Sequence, residues 1–175
     1  MLKRTVLAAA MAIALAAGVA AAAAVTHQSS RSLAASSATA GRVTLHTTKL
    51  GKVLATSSGR TLYLFMKDKS GKSACYGQCA SNWPPLMKKG TLRAGTGVKA
   101  KLLGTTKRKN GKLQVTYNHH PLYLYAGDTG AGQVSGQGLN FFGGKWWVLS
   151  AAGKAIKAAP PAGGGTTTYT VPTYP

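Results

Sequence analysis

The chain has 175 residues and a formal net charge of +20 at pH 7, because 22 residues are Lys or Arg and only two, Asp68 and Asp128, are acidic. The basic content is ordinary, so the charge arises from missing acids. With no glutamate, four histidines and two cysteines, the chain cannot build a multi-carboxylate metal cage. A Ser-His-Asp triad is not expected either, because the two aspartates are assigned to turns.

The N-terminus predicts export. Lys3-Arg4 precedes an apolar and small-residue run that ends in Ala22-Ala23-Ala24, the order typical of a secretory signal peptide. We expect residues 1–24 to form this signal helix and to be cleaved. The alternative is an uncleaved anchor, because the run is long enough to cross a bilayer as a helix. No cysteine lies near the cleavage site to carry a lipid.

The remaining chain divides by composition. Residues 25–42 contain mostly Ser, Ala and Thr and predict a flexible spacer. Residues 158–175 are rich in Pro, Gly and Thr and predict a disordered tail. Only residues 43–157 have the apolar content of a domain with its own core.

An internal repeat organises this domain. When the chain is shifted by 60 residues, the 18-residue segment that starts at Gly51 aligns without gaps on the one that starts at Gly111. Seven positions agree, and both acidic residues fall on equivalent positions. The repeat therefore predicts two units within the domain, at about 43–100 and 101–157. The identical pairs are Gly51 and Gly111, Lys52 and Lys112, Thr56 and Thr116, Leu62 and Leu122, Tyr63 and Tyr123, Leu64 and Leu124, Asp68 and Asp128.

Each unit reads as a β-hairpin. In the first, residues 53–56 and 61–65 flank a turn-forming loop; in the second, residues 113–117 and 122–125 flank Asn118-His119-His120-Pro121. Leu62 and Leu64 alternate with aromatic residues in the first returning strand, which is typical of a strand buried on both faces.

Further elements complete a mainly β fold of two pseudo-repeated antiparallel hairpin units. A short helical turn is expected within residues 75–82, before two prolines. Asn110-Gly111 predicts a hairpin between residues 102–108 and the strand from Leu113. Residues 145–150 and 154–156 predict a closing hairpin, and residues 127–138 a flexible glycine-rich connection without the Lys of a phosphate loop.

The two acids stand where strands end in turn-forming residues. There an Asp side chain accepts main-chain N–H groups and holds a turn, so Asp68 and Asp128 are expected to be structural, each within its own unit. The alternative is a pair of carboxylates that act as acid and base or bind a cation.

The cysteines lie four residues apart in a chain predicted to be exported. We expect a Cys75–Cys79 disulfide. The alternative is thiolate chemistry, either a redox pair or a metal site that recruits His119 and His120, or the sulfur atoms of Met66 and Met87. Trp83, Trp146 and Trp147 are expected in the core or at its rim.

These residues resemble a bacterial family of secreted or lipoprotein repeats of unknown function, marked by Tyr, any residue, an aromatic, two residues and Asp. The block from Cys75 to Leu86, with its Trp-Pro-Pro sequence, is also similar to that family. The resemblance implies an extracytoplasmic tandem repeat without established activity, and a loose association of relatives with alkane catabolism. The two copies of the motif are Tyr63, Phe65 and Asp68, and Tyr123, Tyr125 and Asp128.

The function expected from the sequence is that of a non-catalytic cell-envelope module without a cofactor. Its charge favours anionic wall polymers or a membrane surface as partners, and no specific nucleic acid. The alternative is a secreted metal-binding or redox protein that uses Cys75 and Cys79.

Overall fold

The structure is a computed structural model that describes residues 41–158. The predicted signal helix, the rest of the spacer and the tail from residue 159 onward lie outside the described residues. The elements within this range are β1 (Arg42–Thr48), β2 (Gly51–Thr56), β3 (Tyr63–Phe65), α1 (Gln78–Asn82), β4 (Arg93–Ala94), a 3₁₀ turn (Ala100–Leu102), β5 (Leu103–Lys107), β6 (Leu113–Tyr117), β7 (His120–Pro121), β8 (Asn140–Phe141) and β9 (Gly144–Val148).

The strands form three small sheets, with the orders β2-β1-β4, β3-β9-β8 and β5-β6-β7. Every pairing between these strands is antiparallel except that of β1 with β4. The prediction of a mainly β fold of antiparallel hairpins, with a short helix beside the cysteines, is confirmed. Among residues 41–158, no helix has the length and apolar character needed to span a membrane.

The hairpin between β5 and β6 is confirmed, with Lys107 opposite Leu113. Gly111 in its loop has φ 79°, a conformation that glycine adopts without steric cost. The closing hairpin is also present, since the Ile156 N–H donates to the Val148 carbonyl and Leu149 bridges Ala155.

The predicted four-residue loop of the second unit is wrong. Only two residues form the turn, because Tyr117 already pairs with His120 and β7 begins there. The turn residues Asn118 and His119 have φ 48° and 64°, and two successive positive φ values characterise the type I′ turns that suit twisted hairpins. The sequence favours a loop at His120 and Pro121 because Pro commonly marks a turn.

The first unit also departs from a simple hairpin. Its returning strand starts beside β2, where the Leu62 N–H donates to the Leu54 carbonyl. From Tyr63 onward it pairs instead with β9, with Leu64 opposite Trp147. The strand therefore lies inside the molecule, between β9 and Tyr123 of the second unit, as its two apolar faces predicted.

Strand β3 separates two hydrophobic clusters. Leu62 and Leu64 belong to an aliphatic cluster that includes Val115, Leu122 and Leu149. Tyr63 and Phe65 point into an aromatic cluster on the opposite face, because successive side chains of a strand alternate. All four side chains are at most 2 % exposed. The aromatic cluster consists of Val53, Tyr63, Phe65, Cys75, Cys79, Trp83, Tyr123, Val134, Trp146 and Val148.

Candidate functional site: a crossed tyrosine–carboxylate pair

The two repeat units meet at equivalent residues. The Tyr63 N–H donates to the Tyr123 carbonyl at 2.9 Å, and the Tyr123 N–H donates to the Tyr63 carbonyl at 3.0 Å. This reciprocal antiparallel bridge relates the two copies by an approximate twofold rotation. The side chains around it follow the same symmetry.

Each tyrosine donates its hydroxyl proton to the aspartate of the other unit. Tyr63 Oη lies 2.6 Å from Asp128 Oδ2, and Tyr123 Oη lies 2.8 Å from Asp68 Oδ2. The expectation that each aspartate serves only its own unit is therefore wrong. The reason is the central bridge, which places the end of each strand beside the loop of the other unit.

The second oxygen of each carboxylate accepts a main-chain N–H from its own loop. Asp68 Oδ1 accepts from Ala74 at 2.7 Å, and Asp128 Oδ1 accepts from Ser135 at 2.9 Å. One aspartate thus joins three parts of the fold: its own strand end, its own loop and the other unit's tyrosine. Asparagine or glutamine has only one acceptor oxygen and places an NH₂ donor in the other position, which explains why a carboxylate persists in a chain with so few acids.

An arginine from the opposite unit also reaches each loop. Arg60 donates to the carbonyls of Tyr125 and Asp128 at 3.1 and 3.2 Å. Arg108, which is 6 % exposed, donates to Ser73 Oγ and to the Cys75 carbonyl. These two residues are not equivalent in the repeat alignment, so the same cross-linking arose at two different sequence positions.

The aromatic cluster follows the same twofold relation. Trp83 and Trp146 stack with ring centroids 3.9 Å apart, and Phe65 and Tyr125 stack or tilt against their outer faces. Tyr63 meets Trp83 edge to face, and Tyr123 meets Trp146 in the same way. Such ring contacts stabilise the fold beyond the free energy gained by burying the rings. The two tryptophans are therefore structural equivalents, although sequence comparison at a constant shift does not align them.

Loop 127–138 is a packed part of this site, so the prediction of a flexible connection is wrong. The Gly136 N–H donates to Tyr63 Oη at 3.3 Å, and a Cβ on this glycine would lie 2.6 Å from the Trp83 ring. Glycine is required here by this close approach. The sequence signal was ambiguous because glycine suits both flexible and tightly packed loops.

Burial controls the protonation of the site. Desolvation raises the pKa of Asp68 to about 6, against the opposing effects of the Ala74 N–H, the Tyr123 hydroxyl and Arg108. Desolvation also raises the pKa of Asp128. Burial, followed by the nearby carboxylate charge, raises the pKa of Tyr63 and of Tyr123. The phenols therefore stay protonated and act as hydrogen-bond donors.

The two aspartates differ in access. Asp128 is 2 % exposed, whereas Asp68 lines a cavity of about 400 Å³ together with His119, His120 and Pro121. Burial lowers the pKa of His120, and the neighbouring His119 adds to this effect. Across the described residues, no three His, Cys, Asp or Glu side chains form a group that could hold a metal ion.

The cysteines form a disulfide, Cys75–Cys79, with Cα atoms 5.2 Å apart. Their sulfur atoms are bonded to each other and lie in the aromatic cluster, beside the loop that Asp68 holds. Of the predicted site residues, the structure brings together Tyr63, Asp128 and Trp83 on one side and Tyr123 and Asp68 on the other. Sequence reasoning missed Arg60 and Arg108, and it placed Gly136 in a loop that was expected to be flexible.

Two segments of the chain, residues 44–87 and 104–150, match a protein family described as a secreted repeat of unknown function. The first segment contains Tyr63 and Asp68, and the second contains Tyr123 and Asp128. No curated protein and no solved structure matches the chain.

Proposed function

Because the chain belongs to the family of secreted repeats of unknown function, we propose that it is a non-catalytic extracytoplasmic module that adheres by charge to anionic surfaces of the cell envelope. One observation carries this proposal: the described surface has many bases and no exposed acid.

The charges separate into an inner and an outer set. Asp128 is buried and Asp68 is half-buried, and each is held by a tyrosine. Of the 19 basic residues within 41–158, the only two that are not exposed are Arg60 and Arg108, which reach the aspartate loops. The other 17 bases are exposed, and only Lys67 and Lys69, which flank Asp68, have a carboxylate next to them in the chain.

Such a surface attracts any dense array of negative charge. The attraction is long-ranged at low ionic strength and weakens as salt shortens the Debye length to about 3 Å at 1 M. A catalytic role receives no comparable support. Both aspartates already accept hydrogen bonds at both oxygens, and both tyrosines are donors with raised pKa values.

The proposal is tested by retention of the exported protein on an immobilised anionic polymer and on anionic vesicles, between about 50 and 500 mM NaCl. We expect binding at low salt that falls steeply with salt, and no binding to a neutral polymer. Absence of retention on the anionic supports at 50 mM NaCl would refute the proposal.

The β5–β6 hairpin provides a matched variant pair. Lys107, Lys109 and Lys112 are all exposed there. Changing all three to Glu should weaken retention at least severalfold, whereas changing all three to Arg should preserve it, because the positive charge remains. Equal losses in both variants would point to a specific lysine contact rather than to charge.

A further inference from the structure

The turn between β8 and β9 exposes a strained aromatic residue. Phe142 has φ 57° and is 38 % exposed, and Gly143 has φ 79°. Because Phe141 pairs with Gly144, these two residues are the whole turn. Two-residue turns with positive φ favour Asn-Gly, and a bulky residue in the left-handed region is a genuine outlier.

Among residues 41–158, two other turns have two successive positive φ values, and their first residues are Ser70 and Asn118. The turn geometry alone therefore does not call for Phe142. A bulky side chain kept in a strained, solvent-facing position motivates the hypothesis that the side chain itself is used.

A second exposed apolar side chain lies at the same end of the sheet formed by β3, β9 and β8. Met66 is 48 % exposed, and its N–H donates to the Lys145 carbonyl. Of the three large apolar side chains that are exposed within residues 41–158, two are therefore at this end of the sheet, and the third, Leu113, lies in another sheet.

Two lysines lie next to these residues in the sheet. Lys67 Nζ donates to the Phe142 carbonyl at 3.1 Å. Lys145 Nζ lies 5.6 Å from the centre of the Trp147 ring. Both lysines have long apolar stems that let the ammonium group stay in water while the stem covers apolar surface. We refer to Met66, Lys67, Phe142, Gly143 and Lys145 as the apolar tip.

We propose that the apolar tip inserts into the boundary between headgroups and acyl chains of an anionic lipid bilayer. The inference rests on the proposed function and selects lipid among the anionic surfaces. A wall polymer offers charge alone, whereas a bilayer offers negative headgroups for the lysines and an apolar phase for Phe142 and Met66. A second copy of the chain would bring another strongly positive surface to the same place.

The test compares Phe142→Asn with wild type. Asn suits the turn, so the variant should fold and resist urea at least as well as wild type while it lacks the aromatic group. On phosphatidylglycerol vesicles its partition coefficient should fall about tenfold, the effect expected from losing the burial of one aromatic side chain. Leu113→Thr is the control, since it removes an equally exposed apolar side chain elsewhere, and it should bind as wild type does.

Depth of insertion gives an independent measurement. Phe142→Trp places a fluorophore at the tip, and its added emission should be quenched by lipids brominated near the headgroups when anionic vesicles are present. Phosphatidylcholine vesicles should produce little quenching, because they lack the anionic attraction.

The outcomes separate the two proposals. If Phe142→Asn binds anionic vesicles as wild type does while Lys107, Lys109 and Lys112 changed to Glu weaken binding, insertion is refuted and charge binding stands. Retention on anionic polymer without vesicle binding also refutes insertion. Failure to bind either support refutes both proposals, and capture of the tip by a protein in place of lipid would overturn the choice of a bilayer.

Discussion

The two units hold equivalent carboxylates in unequal surroundings. Around Asp68, the loop is closed by the Cys75–Cys79 disulfide and by Arg108, and the carboxyl group borders the cavity of His119 and His120. Around Asp128, the loop is closed by hydrogen bonds, such as that from the Thr129 N–H to Gln133 Oε1, and the carboxyl group is buried.

This difference shows which part of the repeat is constrained. Tyrosine, aspartate and the stacked tryptophan occupy equivalent places in both units, and an arginine of the opposite unit reaches each loop. The closure within the loop differs, since it is a disulfide in the first unit and hydrogen bonds in the second. A disulfide and a glycine-rich packed loop both satisfy the requirement that a main-chain N–H face the aspartate.

The largest expected effect comes from disrupting the ring stack that the two units share, which consists of Phe65, Trp146, Trp83 and Tyr125. Trp83→Ala should lower the free energy of unfolding by about 3 to 5 kcal/mol, because it leaves a cavity between Trp146 and Tyr125. Urea unfolding monitored by circular dichroism measures this loss.

Trp83→Phe is the matched control. The buried Trp83 Nε1 has no hydrogen-bond partner among the described residues, so Phe sacrifices ring volume but no hydrogen bond. Trp83→Phe should lower the free energy of unfolding clearly less than Trp83→Ala does. Equal costs for the two variants would mean that stacking does not account for the role of Trp83.

The next effect distinguishes the two carboxylates. Asp128→Asn should lower stability by about 2 kcal/mol, and Asp68→Asn by about 1 kcal/mol, because the amide leaves a donor unpaired and the penalty is greater where water is excluded. Chemical unfolding at pH 7 compares them. A larger loss at Asp68 would contradict the order of burial.

Double-mutant cycles sharpen this prediction. Tyr63→Phe should couple with Asp128→Asn by about 1 kcal/mol and be nearly additive with Asp68→Asn, because the hydrogen bond crosses between units. Coupling to the aspartate of the same unit instead would show that the crossed arrangement is wrong.

A further prediction concerns pH. The folded-state pKa of Asp68, about 6, is above its ordinary value of 3.8, so the folded state binds the proton more tightly. Its contribution to stability is therefore greatest below about pH 3.8 and is lost as pH rises through 6. Wild type should gain stability relative to Asp68→Asn between pH 7 and pH 4.5, measured as the difference in urea midpoints.

The difference between wild type and Asp68→Asn cancels the contributions of other groups that titrate in the same pH range. Asp128 has a raised pKa and contributes in the same direction, whereas the lowered pKa of His120 makes acid destabilising. Both groups are present in both proteins and largely cancel. A difference in midpoints that does not change with pH would contradict the raised pKa of Asp68.

The amino-acid sequence by itself determined the local features of this protein. The alternation of leucine and aromatic residues over 62–65 predicted a strand buried on both faces, Asn110-Gly111 predicted a hairpin, and the 60-residue shift identified the repeat. These signals are reliable because side-chain period and turn conformation depend on neighbours along the chain.

Only the tertiary structure decided how the two copies combine. The repeat marked Tyr63 and Asp68 as a pair within one unit, yet the bridge between Tyr63 and Tyr123 gives each aspartate the tyrosine of the other copy. Which strands pair across 60 residues of chain depends on burying both apolar faces at the same time. A periodic pattern in the sequence indicates that a face is buried but not which residues cover it. For the same reason, Arg108 and Gly136 became recognisable as parts of the site only when the chain had folded around them.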